Sequence, residues 1–194
     1  MALLDEPIKN VPVVKNYING EWVESKGELV DVINPANCKV IAKVPISSKE
    51  EMEEAIAAAE DVCKRTFLFG SLATLKYIAM SGRVGYLAAG LAAMMDIKPI
   101  LSLSEGKLSM LEKIRTQRKS WKRVVELSKE KVGGKKIESM AIQHVNALDS
   151  AREFEQMLRA ELACPSEILI TDMTPGLSCH TGAGTVAVIC VTAK

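Results

Sequence analysis

The sequence predicts an α/β fold: a mixed sheet with helices packed on it, preceded by a small β-hairpin plus helix segment. Three observations lead there. Short apolar runs of strand type alternate with stretches of helical period. The last run, Thr185–Val191, is almost wholly Val, Ala, Ile and Cys, as in the middle of a buried sheet. The charge also changes character along the chain. Residues 1–62 carry 6 Lys and no Arg against 12 acids, and residues 63–194 carry 19 Lys and Arg against 12 acids. The two parts thus differ in electrostatic character, which hints at two origins, a segment 1–62 and a domain 63–194.

The elements follow in order. Residues 1–15 show no period and read as a lead-in. Tyr17–Val23 brackets Asn19-Gly20, a hairpin signal. Leu29–Ile33 is a strand stopped by Asn34-Pro35, and Val40–Val44 is another. Ser48 and Glu51 form a capping box that opens a helix to about Val62, with Met52, Ile56 and Ala59 on its inward face. Phe67-Leu68-Phe69 is a strand. Ser71 caps a helix that carries Leu72, Leu75 and Ile78, broken at Ser81-Gly82-Arg83. Val84–Met95 is a helix so rich in Gly and Ala that a backbone or a slender ligand must come close to it.

Pro99–Leu103 and Leu108–Ile114 are strands around a turn at Ser104–Lys107. Thr116 caps a helix to Val132, with Trp121, Val124 and Val125 inward and Gly133-Gly134 as its stop. Ile137–Asn146 contains a strand that buries Met140, Ile142 and Val145. Asp149 starts a helix with Phe154, Met157, Leu158 and Leu162 on one side. Ile168–Ile170 is a further strand.

Composition excludes several classes. The chain has 194 residues, 48% apolar and 25% charged, so it is not disordered. Its aromatic content of 4% argues against base-stacking nucleic-acid modules. Cys38, Cys63, Cys164, Cys179 and Cys190 are odd in number and lack CxxC spacing, so neither a disulfide framework nor a zinc site is expected. A reducing cytoplasm fits them. No signal peptide and no membrane span is read, since the longest apolar stretch, about Tyr86–Met95, is too short.

Three constellations are candidates for chemistry. Arg83 stands at a helix start, where backbone N–H groups favour an anion, or it is a surface Arg at a helix break. His180 lies in a Gly-rich loop, Leu177–Gly184, just before the last strand. It is either a ligand-facing His or one bonded to backbone. A Cys179–His180 nucleophile pair is disfavoured, because neighbours on an extended segment point apart. Lys113–Lys136 is strongly basic, which fits a solvated helix face or a docking surface for an acidic or phosphorylated partner. His144 reads as a core or sheet-face histidine. No paired carboxylates, HExxH or GxSxG pattern is present.

Two resemblances come with these residues. Tyr17-Ile18-Asn19-Gly20-Glu21-Trp22-Val23, Val32-Ile33-Asn34-Pro35-Ala36 and Glu54-Ala55-Ile56-Ala57-Ala58-Ala59 resemble the extreme N-terminus of an aldehyde dehydrogenase of the methylmalonate-semialdehyde type. That family's nucleotide site and catalytic cysteine lie beyond the matching stretch. A remnant NAD-dependent dehydrogenase is therefore the weakest reading, and no catalytic residue is assigned.

From residue 63 the chain is similar to the DegV family. Leu75-Lys76-Tyr77-Ile78 with Ser81-Gly82-Arg83-Val84, then Ile97-Lys98-Pro99-Ile100-Leu101, then Glu105-Gly106-Lys107, Lys113-Ile114-Arg115-Thr116 and His180-Thr181-Gly182-Ala183-Gly184 follow that family's signatures in order. Ser81 and Ala183 depart from the usual Gly and Pro. The resemblance implies a fatty-acid-binding domain without cofactor or metal. Arg83, His180 and Thr181 would lie near the carboxylate, and Leu87, Leu91 and Met94 along an aliphatic tunnel. Arg115 and Arg118 would face a fatty acid kinase. The family's N-terminal domain is missing, so the chain looks like a fusion. The alternative reading is a structural, self-associating fusion scaffold, a homo-oligomer without ligand.

Overall fold

The computed structural model describes residues 10–80, 97–104 and 106–194. The chain divides into two compact units, Met1–Lys64 and Arg65–Lys194.

The first unit pairs its strands two by two. β1 (Asn16–Ile18) and β2 (Glu21–Val23) form the hairpin, with Asn19 and Gly20 both at positive φ in its turn. β3 (Leu29–Ile33) and β4 (Val40–Pro45) form a second antiparallel pair, and Val13 bridges to Lys43. α1 (Lys49–Arg65) begins at the expected capping box. The Glu51 N–H donates to Ser48 Oγ at 3.2 Å, and the Ser48 N–H donates to Glu51 Oε2 at 3.0 Å. Ser25 Oγ adds a bond of 2.7 Å to the same carboxylate. That bond leads in holding Glu51 below its ordinary pKa, followed by the Ser48 amide.

The inward face expected for α1 is corrected. Met52, Ile56 and Ala59 are exposed, while Ala55 and Ala58 are half-buried. The helix therefore turns small alanines toward its neighbours and leaves the larger apolar stripe outside. Ile18 is the only apolar side chain fully buried among the described residues of this unit.

The second unit is a six-stranded mixed sheet in the order β7-β6-β5-β10-β8-β9. Its strands are β5 (Thr66–Ser71), β6 (Lys98–Ser104), β7 (Lys107–Ile114), β8 (Ile137–His144), β9 (Leu169–Asp172) and β10 (Val186–Thr192). All neighbours are antiparallel except β8 and β9, which are parallel and joined through α4 (Leu148–Glu161). The strand expected at the sheet centre is there: β10 lies between β5 and β8.

Alternation sorts the two faces. Phe67, Phe69, Ile100, Met140, Ile142, Val186, Val188 and Cys190 point to one side. There they meet Trp121, Val124, Val125 and Val132 of α3 (Gln117–Val132) and Ala151, Phe154 and Leu158 of α4. Gly133 ends α3 in the left-handed region, its N–H bonded to Lys129 O at 3.1 Å.

Four expectations are corrected here. Ser71 does not cap a helix. It closes β5, and its hydroxyl bonds Ser120 Oγ at 2.8 Å and Gln117 Nε2 at 3.0 Å. The helix after it, α2 (Lys76–Met80), starts later, with the Lys76 N–H donating to Thr74 Oγ1 at 3.2 Å. Thr116 occupies the N-cap of α3 without a side-chain capping bond. Val145 lies just past β8 and is only half-buried. The expected helix break at Ser81–Arg83 and the expected helix Val84–Met95 lie outside the described residues.

The five cysteines are free thiols, and Cys190 is fully buried. Burial pushes its thiol up to about 12, from 9.0. The folded form keeps that proton in the window between these values, where the unfolded chain releases it. Stability should therefore fall as pH rises from about 9 toward 12. Thiol labelling at pH 8 should reach exposed Cys38, Cys63 and Cys179 quickly and Cys190 only on unfolding. Rapid labelling of all five would contradict this burial.

Candidate functional site

One end of the sheet gathers the polar and special residues of the second unit. β5 ends there at Ser71, β8 at His144 and β9 at Asp172, while β10 begins there at Val186. β6 starts and β7 finishes at the same end, where Lys98 pairs with Ile114. Ligands of α/β sheets favour the carboxyl ends of parallel strands, here β8 and β9.

The segment expected to be a Gly-rich loop is largely helical. Pro175 opens α5 (Pro175–Thr181) and Gly182 closes it. Pro at the first position and Gly after the last follow the usual asymmetry of helix ends. His180 and Thr181 thus stand in the last turn of α5, both half-buried, and Cys179 beside them is exposed. Cys179 and His180 are neighbours on a helix rather than on an extended segment, and they project about 100° apart around its axis.

The two Gly that follow explain why α5 and α2 lie together. Gly182 has φ +79, and a Cβ there would stand 2.0 Å from Tyr77 Cδ2. Gly184 has φ +84, and a Cβ there would stand 2.8 Å from the Ala73 Cβ. Only a residue without Cβ lets the chain turn this tightly against α2. The corner is further tied by the Thr185 hydroxyl, which donates to Thr181 O at 3.0 Å, and by the Gly184 N–H, which donates to Val145 O at 2.8 Å. Two motifs far apart in sequence, Leu75–Ile78 and His180–Gly184, are thereby brought into contact.

His144 is buried, as a core histidine should be, but it has a polar role too. Its Nδ1 lies 3.2 Å from exposed Asp172 Oδ1 and 3.5 Å from the Ala147 N–H that begins α4. Sequence reading did not single out Asp172. Its one signal is its place at the end of an apolar run. Nor did it find the buried Ser71–Ser120–Gln117 chain, whose members come from different elements.

The basic run is partly neutralised. Arg123 is bound by Glu112 at 2.9 Å, Glu126 at 3.1 Å and Glu130 at 3.2 Å. The hydrogen bond it donates to Glu112 leads in holding its guanidinium above its ordinary pKa. Lys129 pairs with Glu161 at 2.8 Å, and Arg118 reaches Glu153 at 3.7 Å. Arg115 is exposed and has no ion-pair partner among the described residues. Arg83, Leu87, Leu91 and Met94 lie outside the described residues. No cluster of three or more His, Cys, Asp or Glu residues able to hold a metal, and no helix long and apolar enough to cross a membrane, occurs among the described residues.

The sheet face away from α3 and α4 carries an unbroken apolar row. One residue from each strand enters it by direct pairing: Leu108, Leu103, Leu68, Ile189, Ala141 and Leu169. Five strand spacings make it about 24 Å long. Leu101 and Met110 lie alongside, under Leu72 and Ile78. Leu103, Leu108 and Leu169 remain exposed.

The family model described as "uncharacterised protein, DegV family" matches residues 40–193. This chain belongs to the DegV family. The match begins inside the first unit rather than at residue 63. A DegV domain-containing protein of Streptomyces coelicolor is 28% identical over 152 residues, which cover 78% of this chain and 54% of that one. Among solved structures, a DegV family protein of Corynebacterium glutamicum matches with TM-score 0.67 at 29% identity, covering 74% of this chain and 54% of that one. A fatty-acid-binding DegV family protein of Streptococcus agalactiae matches with TM-score 0.64 at 26% identity, covering 76% and 50%. The chain spans from about half to two thirds of the length of its first DegV relatives. A malonate-semialdehyde dehydrogenase of Bacillus mycoides is 48% identical over 58 residues, 29% of this chain and only 12% of that enzyme.

Gly182→Ala should destabilise the second unit by about 2–4 kcal/mol, through the positive φ and the Tyr77 clash together. Adding Tyr77→Ala should cost less than it does in the unsubstituted protein, because it removes the ring that the new Cβ meets. Chemical denaturation of the four proteins tests this, and strict additivity would refute the contact as the cause.

Proposed function

We propose that the second unit binds a long-chain fatty acid non-covalently and without cofactor. The observation that carries the reading is the apolar row across all six strands, on the face that α3 and α4 leave free. A slender aliphatic chain laid along it gains about 0.8 kcal/mol per buried CH₂. The carboxylate is placed at the α5 end of the sheet, where His180 and Thr181 stand. Arg83 supplies a charge-assisted bond of about 1.5–3 kcal/mol, and Leu87, Leu91 and Met94 complete the aliphatic wall. Family membership and the fatty-acid-binding relative support this assignment.

In this reading the chain is a binding protein of the cytoplasm rather than an enzyme. Its domains are the dehydrogenase-like segment 1–62 and the lipid-binding domain 63–194. Exposed Arg115 and Arg118 form the face offered to a kinase that would phosphorylate the presented carboxylate.

Native mass spectrometry of freshly purified protein, followed by organic extraction, tests the proposal. One fatty acid per chain is expected. Arg83→Ala and His180→Ala should each weaken binding roughly 10-fold or more, and Leu103→Glu should do so through the apolar row. Protein that stays empty when offered fatty acid, or unchanged affinity in all three variants, would overturn it.

A further inference from the structure

The first unit cannot be held by its own core. Ile18 is its one buried apolar side chain among the described residues. Burying such a side chain is worth about 1.5–3 kcal/mol, against about 1–2 kcal/mol for ordering each residue's backbone. Two-stranded sheets are marginal by themselves.

Much of the apolar surface this unit possesses is exposed, while Val32, Val40, Ile41 and Val44 are half-buried. In the β1–β2 hairpin, Ile18 and Asn16 occupy one face, and Asn16 bonds Ser47 at 2.8 Å. The opposite face presents the cross-strand pair Tyr17 and Trp22, ring centroids 4.9 Å apart and both more than half exposed. Ile33 and Ile46 are exposed to a similar degree, as are Met52 and Ile56 on α1. Aromatic pairs and apolar stripes of this kind are the anchors of interfaces.

Tyr17, Trp22, Ile33 and Ile56 all fall in the stretches that carry the likeness to the semialdehyde dehydrogenases. In the Bacillus mycoides enzyme the matching part is 12% of the chain, and in a Bacillus thuringiensis relative, 58% identical over 48 residues, it is 10%. Roughly nine tenths of each enzyme's chain lies outside the match. Here the chain continues into a domain of another family.

We propose that the first unit is a docking element for the body of a malonate-semialdehyde-type dehydrogenase subunit. It would take the place of that subunit's own N-terminal segment. Tyr17 and Trp22 would enter an apolar floor, and the excess of acids over lysines in residues 1–62 would meet a basic rim. The inference is independent of lipid binding by the second unit.

The test mixes the full chain with the Bacillus mycoides enzyme from which the matching segment of ~60 residues has been removed. The intact enzyme is the control, and complexes are read by gel filtration and native mass spectrometry. Where the shortened enzyme does not fold alone, it is coexpressed with this chain and its soluble yield is measured. A complex with the shortened enzyme and none with the intact one is expected. Combined Tyr17→Ser and Trp22→Ser should weaken it roughly 30-fold or more. Both residues are exposed, so circular dichroism should be unchanged. Absence of a complex both on mixing and on coexpression would overturn the proposal. So would equal binding to the intact enzyme, or a dimer of this chain that buries the aromatic pair instead.

Discussion

Strand β10 is the constraint on which the second unit depends. It is the last strand in sequence and an inner strand of the sheet, so it joins β5, the first strand of this unit in sequence, to β8 and the elements beyond it. Its alternate residues serve opposite faces. Val186, Val188 and Cys190 enter the core with Phe67, Phe69, Met140 and Ile142. Ala187, Ile189 and Val191 line the other side. A slip of one residue would exchange these sets. The register is fixed on both flanks, because Val186 pairs with Ser71 of β5 and with His144 of β8. Core packing and the apolar row are therefore set by the same pairing.

That pairing also dictates the corner in front of β10. The chain leaves β9 at Asp172 and must return to the middle of the sheet by Val186, where β10 begins. α5 takes up most of that length. The left-handed turns at Gly182 and Gly184 then bring the chain back against Tyr77 and Ala73. His180 and Thr181 are positioned by this return. Their location follows from a backbone turn that tolerates no Cβ, because the Tyr77 ring and the Ala73 Cβ lie against it. Spacing alone does not reveal such a requirement, although the paired glycines mark where it falls.

Legibility in the sequence divides along the same physical lines. Strands with strong β-branched or apolar runs, and helices with a wide apolar face such as α3 and α4, are where periodicity places them. Period signals burial whenever a core is available to receive the stripe. α1 breaks that rule. Met52, Ile56 and Ala59 have the right spacing, yet the first unit has no core of matching size, and the helix buries no side chain fully, Ala55 and Ala58 being half-buried. α5 was hidden for a different reason. Seven residues are too few for a period to show, and its end signals, Pro175 and Gly182, also read as loop residues. Ser71 has the chemistry of a cap, but a hydroxyl can equally complete a buried chain with Ser120 and Gln117, and only tertiary structure decides between them.

The two units thus rest on different kinds of stabilisation. The second closes a sheet over two helices and buries aromatic and aliphatic side chains together, so its order rests on a core of its own. The first is organised by local devices: a hairpin turn, a capping box, and the Glu51 carboxylate shared by Ser48 and Ser25. Such bonds are worth about 0.5–1.5 kcal/mol each, and they specify a conformation more than they stabilise it. A segment whose conformation is specified locally, and much of whose apolar surface is exposed, is preorganised for a partner surface. Less ordering entropy remains to be lost when that surface closes over it.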